Sequence, residues 1–266
     1  MAESNAEKDM SIRQAKSRLR RAGIGMTVLV ASAALAACAY NESLGRNQFV
    51  LMDDSALLQS SQAAWQETLR TQKVSNDRTM NTRVRTVGDR LVAAAGLQDR
   101  TWTYAVFEAD APNAFVLPSG HIGVTTSLLR IARNDDQLAA VIGHEIGHVV
   151  ARHAAERTST STAASLILGA AQSGAGDYAQ AVQAFGGLGA QLGVLLPFSR
   201  RHELEADRLG VDYMVRAGYR ASESITLWES MAAQNAGRTP EFTSTHPSDQ
   251  TRIAALRAYI SERGLS

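Results

Sequence analysis

The sequence predicts an α+β fold, mainly helical, with a small sheet of about three antiparallel strands beside one long helix. Three observations lead there. Most of the chain after residue 52 carries apolar residues three and four positions apart, the spacing of helices with one buried face. Residues 101–125 instead gather aromatic and β-branched residues around a Pro-Ser-Gly turn, which reads as strands. Hydrophobic residues make up 45% of the chain and charged ones 20%, a globular composition with enough apolar material for a sizeable core. The formal net charge is +1, so the overall charge gives no reason to expect a nucleic-acid partner.

The first segment stands apart. Lys8, Arg13, Lys16, Arg18, Arg20 and Arg21 precede an apolar run from Ile24 to Leu35. That run is shorter than the roughly 20 residues a membrane span needs. A basic region followed by a short apolar core reads as a signal peptide over residues 1–37. The run closes on Leu35-Ala36-Ala37-Cys38, and Cys38 is the only cysteine, so no internal disulfide is available to it. The stretch resembles a bacterial lipobox, whose cysteine is lipidated and becomes the mature N-terminus. That resemblance implies an anchor at Cys38, where several acyl chains on one residue hold a membrane stably. By resemblance to enterobacterial lipoprotein sorting, Ala rather than Asp at position 39 implies the periplasmic face of the outer membrane of a Gram-negative bacterium over the inner membrane. Residues 38–52 are expected to be the lipidated N-terminus with a polar tether, and residues 53–266 the folded domain.

Within that domain, Asp53 to Thr71 and Arg78 to Ala95 read as two helices. Val84, Val87, Leu91 and Ala95 line one face of the second. Asn76 or Asp77 suits its N-cap, and Gly96 its end. Thr101 to Glu108 reads as a strand, and 113–117 with 121–125 as a hairpin closed by Pro118-Ser119-Gly120. His121, on its second strand, is expected to be a half-exposed surface group. An edge of this sheet is a candidate to hold an extended peptide by main-chain hydrogen bonds.

Ser127 to Ala132 reads as a short helix. Asp135 to about Arg157 reads as one long helix, with Asn134 or Asp135 as cap and acidic residues suited to its first turn. Leu138, Val141, Ile142, Ile146 and Val149 form its buried face. His144, Glu145 and His148 ride on the same helix. Residues four apart share a face, so His144 and His148 can aim two imidazoles at one point. Zinc accepts imidazole nitrogen, and three protein ligands with a water make a catalytic site. Glu145 stands where a carboxylate can take a proton from such a water. Polar groups of this kind on a core helix are costly unless something satisfies them. His153, beyond the pattern in a polar helix end, is expected to be solvated.

A third ligand is sought in Arg200-Arg201-His202-Glu203-Leu204-Glu205-Ala206-Asp207. Glu203 and Asp207 lie four apart on one face. Glu205 sits roughly 200° around from Glu203 and is expected to be a surface charge. Glu203 is then the candidate ligand, and Asp207 the acceptor that braces a ligand imidazole. Residues 158–196, rich in Ala, Ser, Thr and Gly, read as small-residue helices packed over the core with some mobility. Helices are also expected over 221–234 and 248–263, the latter capped by Ser248.

His144-Glu145-x-x-His148, followed by Glu203-x-x-Ala206-Asp207, is similar to the zinc metallopeptidase family of the HtpX and BepA proteases, mitochondrial OMA and the CAAX prenyl protease. The match runs from about Asn113 to Arg252. It includes Asn113-Ala114-Phe115, Gly120, Leu128-Leu129, Thr245-His246-Pro247 and Arg252-Ile253 in order. The resemblance implies a zincin-like domain holding one Zn2+ per chain on His144, His148 and Glu203, with Glu145 moving the proton during peptide hydrolysis. The membrane-spanning members carry long apolar helices, and this chain shows none after residue 37, so it looks like the BepA-like branch. Polypeptide substrates among misfolded or misassembled envelope proteins, and outer-membrane assembly machinery as a partner, are implied with it. His246 has two open readings: an extra metal ligand that holds the site closed, or a group that stabilises the oxyanion. The resemblance favours a regulatory place near the site. The competing function is a zinc-containing lipoprotein chaperone or scaffold with little or no proteolysis.

Overall fold

The computed structural model of the protein describes residues 38–173, 198–234, 246 and 250–265. The expected leader over 1–37, the Gly-rich part of 158–196 beyond Ser173, and the cap at Ser248 lie outside the described residues. The chain divides into two compact units, Met1–Val50 and Leu51–Ser266.

In the first unit, β1 (Cys38–Asn41) and β2 (Arg46–Phe49) pair antiparallel, with Cys38 opposite Phe49. The stretch expected to be a polar tether thus contains a short hairpin. Asn41 closes the turn by accepting from Leu44 N at 3.2 Å, and its amide donates across the hairpin to Gln48 at 2.9 Å. Gly45 takes the left-handed conformation at φ 62. Polar side chains that satisfy one another can make a hairpin without an apolar signal.

In the second unit, α1 (Asp54–Thr71) and α2 (Arg78–Ala94) come first. Asp77 caps α2 by accepting from Met80 N. Next come β3 (Thr103–Phe107), β4 (Ala114–Leu117), β5 (His121–Thr125) and the short α3 (Thr126–Ile131). The strands form one sheet in the order β3-β5-β4. β4 and β5 are the expected hairpin. At its turn Gly120 adopts φ 89, and a Cβ there would stand 2.6 Å from the Thr101 carbonyl oxygen. β3, however, runs parallel to β5, so the sheet is mixed rather than antiparallel. The connection at residues 108–113 carries the chain two strand-widths from β3, and β5 fills the gap between them when the hairpin folds back.

α4 (Asp135–Val150) follows, capped by Asn134, which accepts from Gln137 N, with Asp135 and Asp136 in its first turn. The long helix expected to reach Arg157 is two helices. Arg152 takes φ 53, a left-handed conformation uncommon for a residue with a side chain, and α5 (His153–Ser173) starts afresh after it. α6 (Arg200–Arg216), α7 (Ser222–Gln234) and α8 (Gln250–Glu262) complete the described elements. α4 is the centre of the unit and is buried along almost its whole length. It packs on α6, α2, α7 and β4. Val84, Val87 and Leu91 of α2, Ile122 and Val124 of β5, Leu138, Val141, Ile142 and Ile146 of α4, and Met214 of α6 join one apolar core. Among the described residues, no helix is long and apolar enough to cross a membrane.

Candidate metal centre

α4 and α6 meet at backbone contact. A Cβ on Gly147 would stand 2.8 Å from the Ala206 carbonyl oxygen, and one on Gly210 would stand 2.8 Å from the His144 nitrogen. That close crossing lets side chains beside the glycines reach across the seam. Ser199 caps α6, accepting from His202 N, so Glu203 enters in the first turn.

His144, His148, Glu203 and His246 each offer a ligand atom, and these atoms lie within 4.8 Å of one another. His144 Nε2 and His148 Nε2 face each other at 3.1 Å. The Glu203 carboxylate lies 3.5 Å from the first and 3.4 Å from the second. His246 Nδ1 is 3.1 Å from Glu203 and 3.4 Å from His144 Nε2. His246 Nε2 in turn lies 3.4 Å from Oε1 of Glu145, a buried atom that takes no hydrogen bond among the described residues. The structure thus gathers the expected His144, Glu145, His148 and Glu203, and His246 with them.

The donor set fits zinc: converging imidazole nitrogens and a carboxylate oxygen, buried, with outer atoms already engaged. Nδ1 of His144 lies 2.9 Å from Asp207 Oδ1, the brace expected for Asp207. Burial pushes the His144 imidazole down, but Asp207 and Glu203 outweigh it and hold it up at about 9. Burial dominates at His148 and takes it well below its ordinary value. At Glu203 burial opposes ionisation, and the three imidazoles together overcome it, keeping the carboxylate well below the usual range. Burial raises Glu145, which suits a group that must accept a proton.

Three expectations about side chains need correcting, and one residue at the centre had been given no role. His153 is fully buried rather than solvated, with Nδ1 2.9 Å from Nδ1 of His148. Glu205 is largely buried rather than a surface charge. It accepts from Arg201 Nε at 2.9 Å within its own helix and from His153 Nε2 at 3.0 Å, because the first turn of α5 lies against the flank of α6 that carries His202 and Glu205. His121 is buried rather than half-exposed. Its ring stacks on Trp65 at 4.8 Å and bonds Thr103 and Gln62. Arg252, which sequence spacing gave no role, binds both carboxylates. Its Nη1 lies 2.6 Å from Glu203, while Nε and Nη2 each donate to Asp207 at 2.8 Å. Its helix is remote in sequence, so no spacing rule pointed to it.

A cleft of about 970 Å³ opens on the centre. Glu145, His148 and His246 line its floor, β4 one wall and α1 another. Arg157, its guanidinium 3.8 Å over the Phe198 ring, lines it as well.

A model of the family described as "Peptidase family M48" matches residues 78–260. The chain is similar to the mitochondrial metalloendopeptidase OMA1 of Schizosaccharomyces pombe, at 38% identity over 65% of this chain and 51% of that protein. It is similar to the Arabidopsis thaliana OMA1 at 36% identity, over 65% of this chain and 35% of that one. It is also similar to the beta-barrel assembly-enhancing protease of Escherichia coli K12 at 29% identity, over 68% of this chain and 39% of that one. The chain therefore spans about half, or less, of these relatives' length.

Proposed function

The chain belongs to peptidase family M48, and from that we propose that it is a zinc-dependent endopeptidase. The observation that carries the proposal is the meeting of His144, His148 and Glu203 at one buried point, with Glu145 beside it on the floor of an open cleft. His144, His148 and Glu203 would hold the zinc. When bound there, zinc lowers the pKa of a coordinated water toward about 7 and polarises a carbonyl. The Glu145 carboxylate takes the proton from the attacking water and delivers it to the leaving amine. Asp207 keeps His144 turned so that Nε2 faces inward. β4 is an edge strand that lines the cleft, so its main chain is placed to pair with an extended segment of substrate.

The test is proteolysis of casein by wild type and Glu145→Gln, each with and without chelator. Wild type should cut and lose the activity to chelator. Glu145→Gln should keep its zinc and lose cutting. A zinc-loaded Glu145→Gln with full activity would refute the mechanism.

The proposal extends to place. A signal over residues 1–37 and lipidation at Cys38 would tether the domain of residues 53–266 to the periplasmic face of an outer membrane. Its substrates there would be misfolded or misassembled envelope proteins. The similarity to a protein named for β-barrel assembly supports outer-membrane assembly machinery as a partner. Labelling with radioactive palmitate, lost in Cys38→Ser, tests the anchor.

One observation favours a second reading. His246 Nδ1 stands among the ligand atoms, where it can occupy the position a water would need. A site held closed in that way suits a zinc-containing chaperone or scaffold with little proteolysis. His246→Ala separates the two: it should raise casein cleavage if His246 closes an enzyme, and leave a scaffold without activity.

A further inference from the structure

His144 is braced by a carboxylate, as metal-bound histidines commonly are, but the outer nitrogen of His148 meets another imidazole. We propose that His153 is a positioning residue for His148, through a relay that runs from His148 to His153 to Glu205. The inference rests on the zinc reading above and adds to it.

The proton positions follow from chemistry. A neutral His148 that gives its Nε2 lone pair to zinc carries its proton on Nδ1. That N–H donates to Nδ1 of His153 across 2.9 Å. His153 then bears its own proton on Nε2, and donates it to Oε2 of Glu205 across 3.0 Å. Glu205 is held in turn by Arg201 Nε at 2.9 Å. Each donor in this run meets an acceptor, and one tautomer is specified for each ring. An outer hydrogen bond of this kind fixes ring orientation and raises ligand basicity.

The backbone provides a second, independent observation. On an unbroken helix His153 would lie about 140° around from His148 and face away. The left-handed Arg152 ends α4 and turns the chain, and His153 opens α5 fully buried against His148. A side-chain-bearing residue in this conformation is strained, and such outliers cluster at functional sites. Here the turn delivers the acceptor that His148 needs. His202 stacks on the other ring at 4.3 Å and limits its rotation.

The test compares two replacements in the full chain. His153→Phe keeps a ring against His202 and removes the acceptor. His153→Asn gives up the ring and keeps an oxygen near the position of Nδ1. Zinc affinity is read by competition with a chromophoric chelator, and ligand geometry by the visible spectrum of the cobalt(II)-substituted protein. His153→Phe should lose about 10–100-fold in affinity and shift the cobalt bands, and His153→Asn should recover most of both. A packing role would give the reverse order. If His153→Phe does not fold, Glu205→Leu, which removes the end of the relay, must still lower zinc affinity, and wild-type affinity there overturns the proposal. The controls are wild type and His148→Ala. If wild type takes up no zinc, or His148→Ala binds it normally, the zinc reading fails and the relay with it. If both controls behave and His153→Phe binds like wild type, the relay alone is wrong.

Discussion

Nδ1 of His144 lies 2.9 Å from Oδ1 of Asp207, so the helix that carries two ligand candidates is tied to the helix that carries the third. The bond crosses the seam at which Gly143, Gly147 and Gly210 let the two backbones touch. Orientation of the imidazole and seating of the helices are therefore one property of the molecule.

Removing the brace should loosen the metal without removing a ligand. Asp207→Ala is expected to lower zinc affinity by about 10–100-fold, measured by chelator competition. Asp207→Asn, whose oxygen can still accept from Nδ1, should lose less. Equal affinity for wild type and Asp207→Ala would show that the contact does not orient the ring.

Arg252 is buried between Glu203 and Asp207, and its loss would leave the two buried carboxylates with only the His144 imidazole as a shared cation. Arg252→Leu is expected to cost about 3–5 kcal/mol in urea unfolding of the zinc-free protein. Arg252→Lys should restore little, because a single ammonium cannot reproduce three directed contacts on two acids. A stable Arg252→Leu protein would mean that the carboxylates find water or each other instead.

Gly147→Ala sets two effects against each other. Alanine is the better helix former by about 1 kcal/mol. Its Cβ, however, would press on the Ala206 carbonyl at 2.8 Å, where backbone cannot yield cheaply. Overpacking of this kind costs about 1–3 kcal/mol, so a net loss of stability is expected, with a loss of zinc affinity as the helices part. Thermal unfolding that shows Gly147→Ala equal to or above wild type would contradict the close crossing.

His121 gives a pH signature away from the metal. Burial lowers its pKa, so the unfolded chain binds the proton more readily than the folded one. The stabilisation from keeping it neutral is whole above the unfolded value of about 6.5 and is lost as pH falls below it. The stability of wild type relative to His121→Gln should therefore shrink as pH falls from about 7.5 to about 5. Other groups titrate alike in both proteins and cancel in the difference. A difference independent of pH would remove His121 from this role.

Local patterns carried the parts of the site that lie on single helices. His144, Glu145 and His148 were legible because a turn of helix places them together, and Glu203 with Asp207 for the same reason. The β4–β5 hairpin was legible from its turn. What escaped was set by packing between remote segments. Arg252 enters from a helix about fifty positions after Glu203. His153 enters only because one residue takes a left-handed conformation, and nothing in Arg152 or its neighbours announces that. The parallel partner of β5 was missed because strand order depends on how a connection crosses the sheet, not on strand composition. The burial of His121 depends likewise on Trp65, from a helix far earlier in the chain.

Glu203, Glu205 and Asp207 all belong to α6, and each has a different destination: the ligand cluster, the far end of the His153 contact, and the ring of His144. A shift of this helix by one residue would rotate all three away by about 100°. No intermediate register keeps one and loses the others. The metal centre should therefore assemble and dissolve as a unit, and zinc occupancy should act as a gauge of whether this single helix is seated.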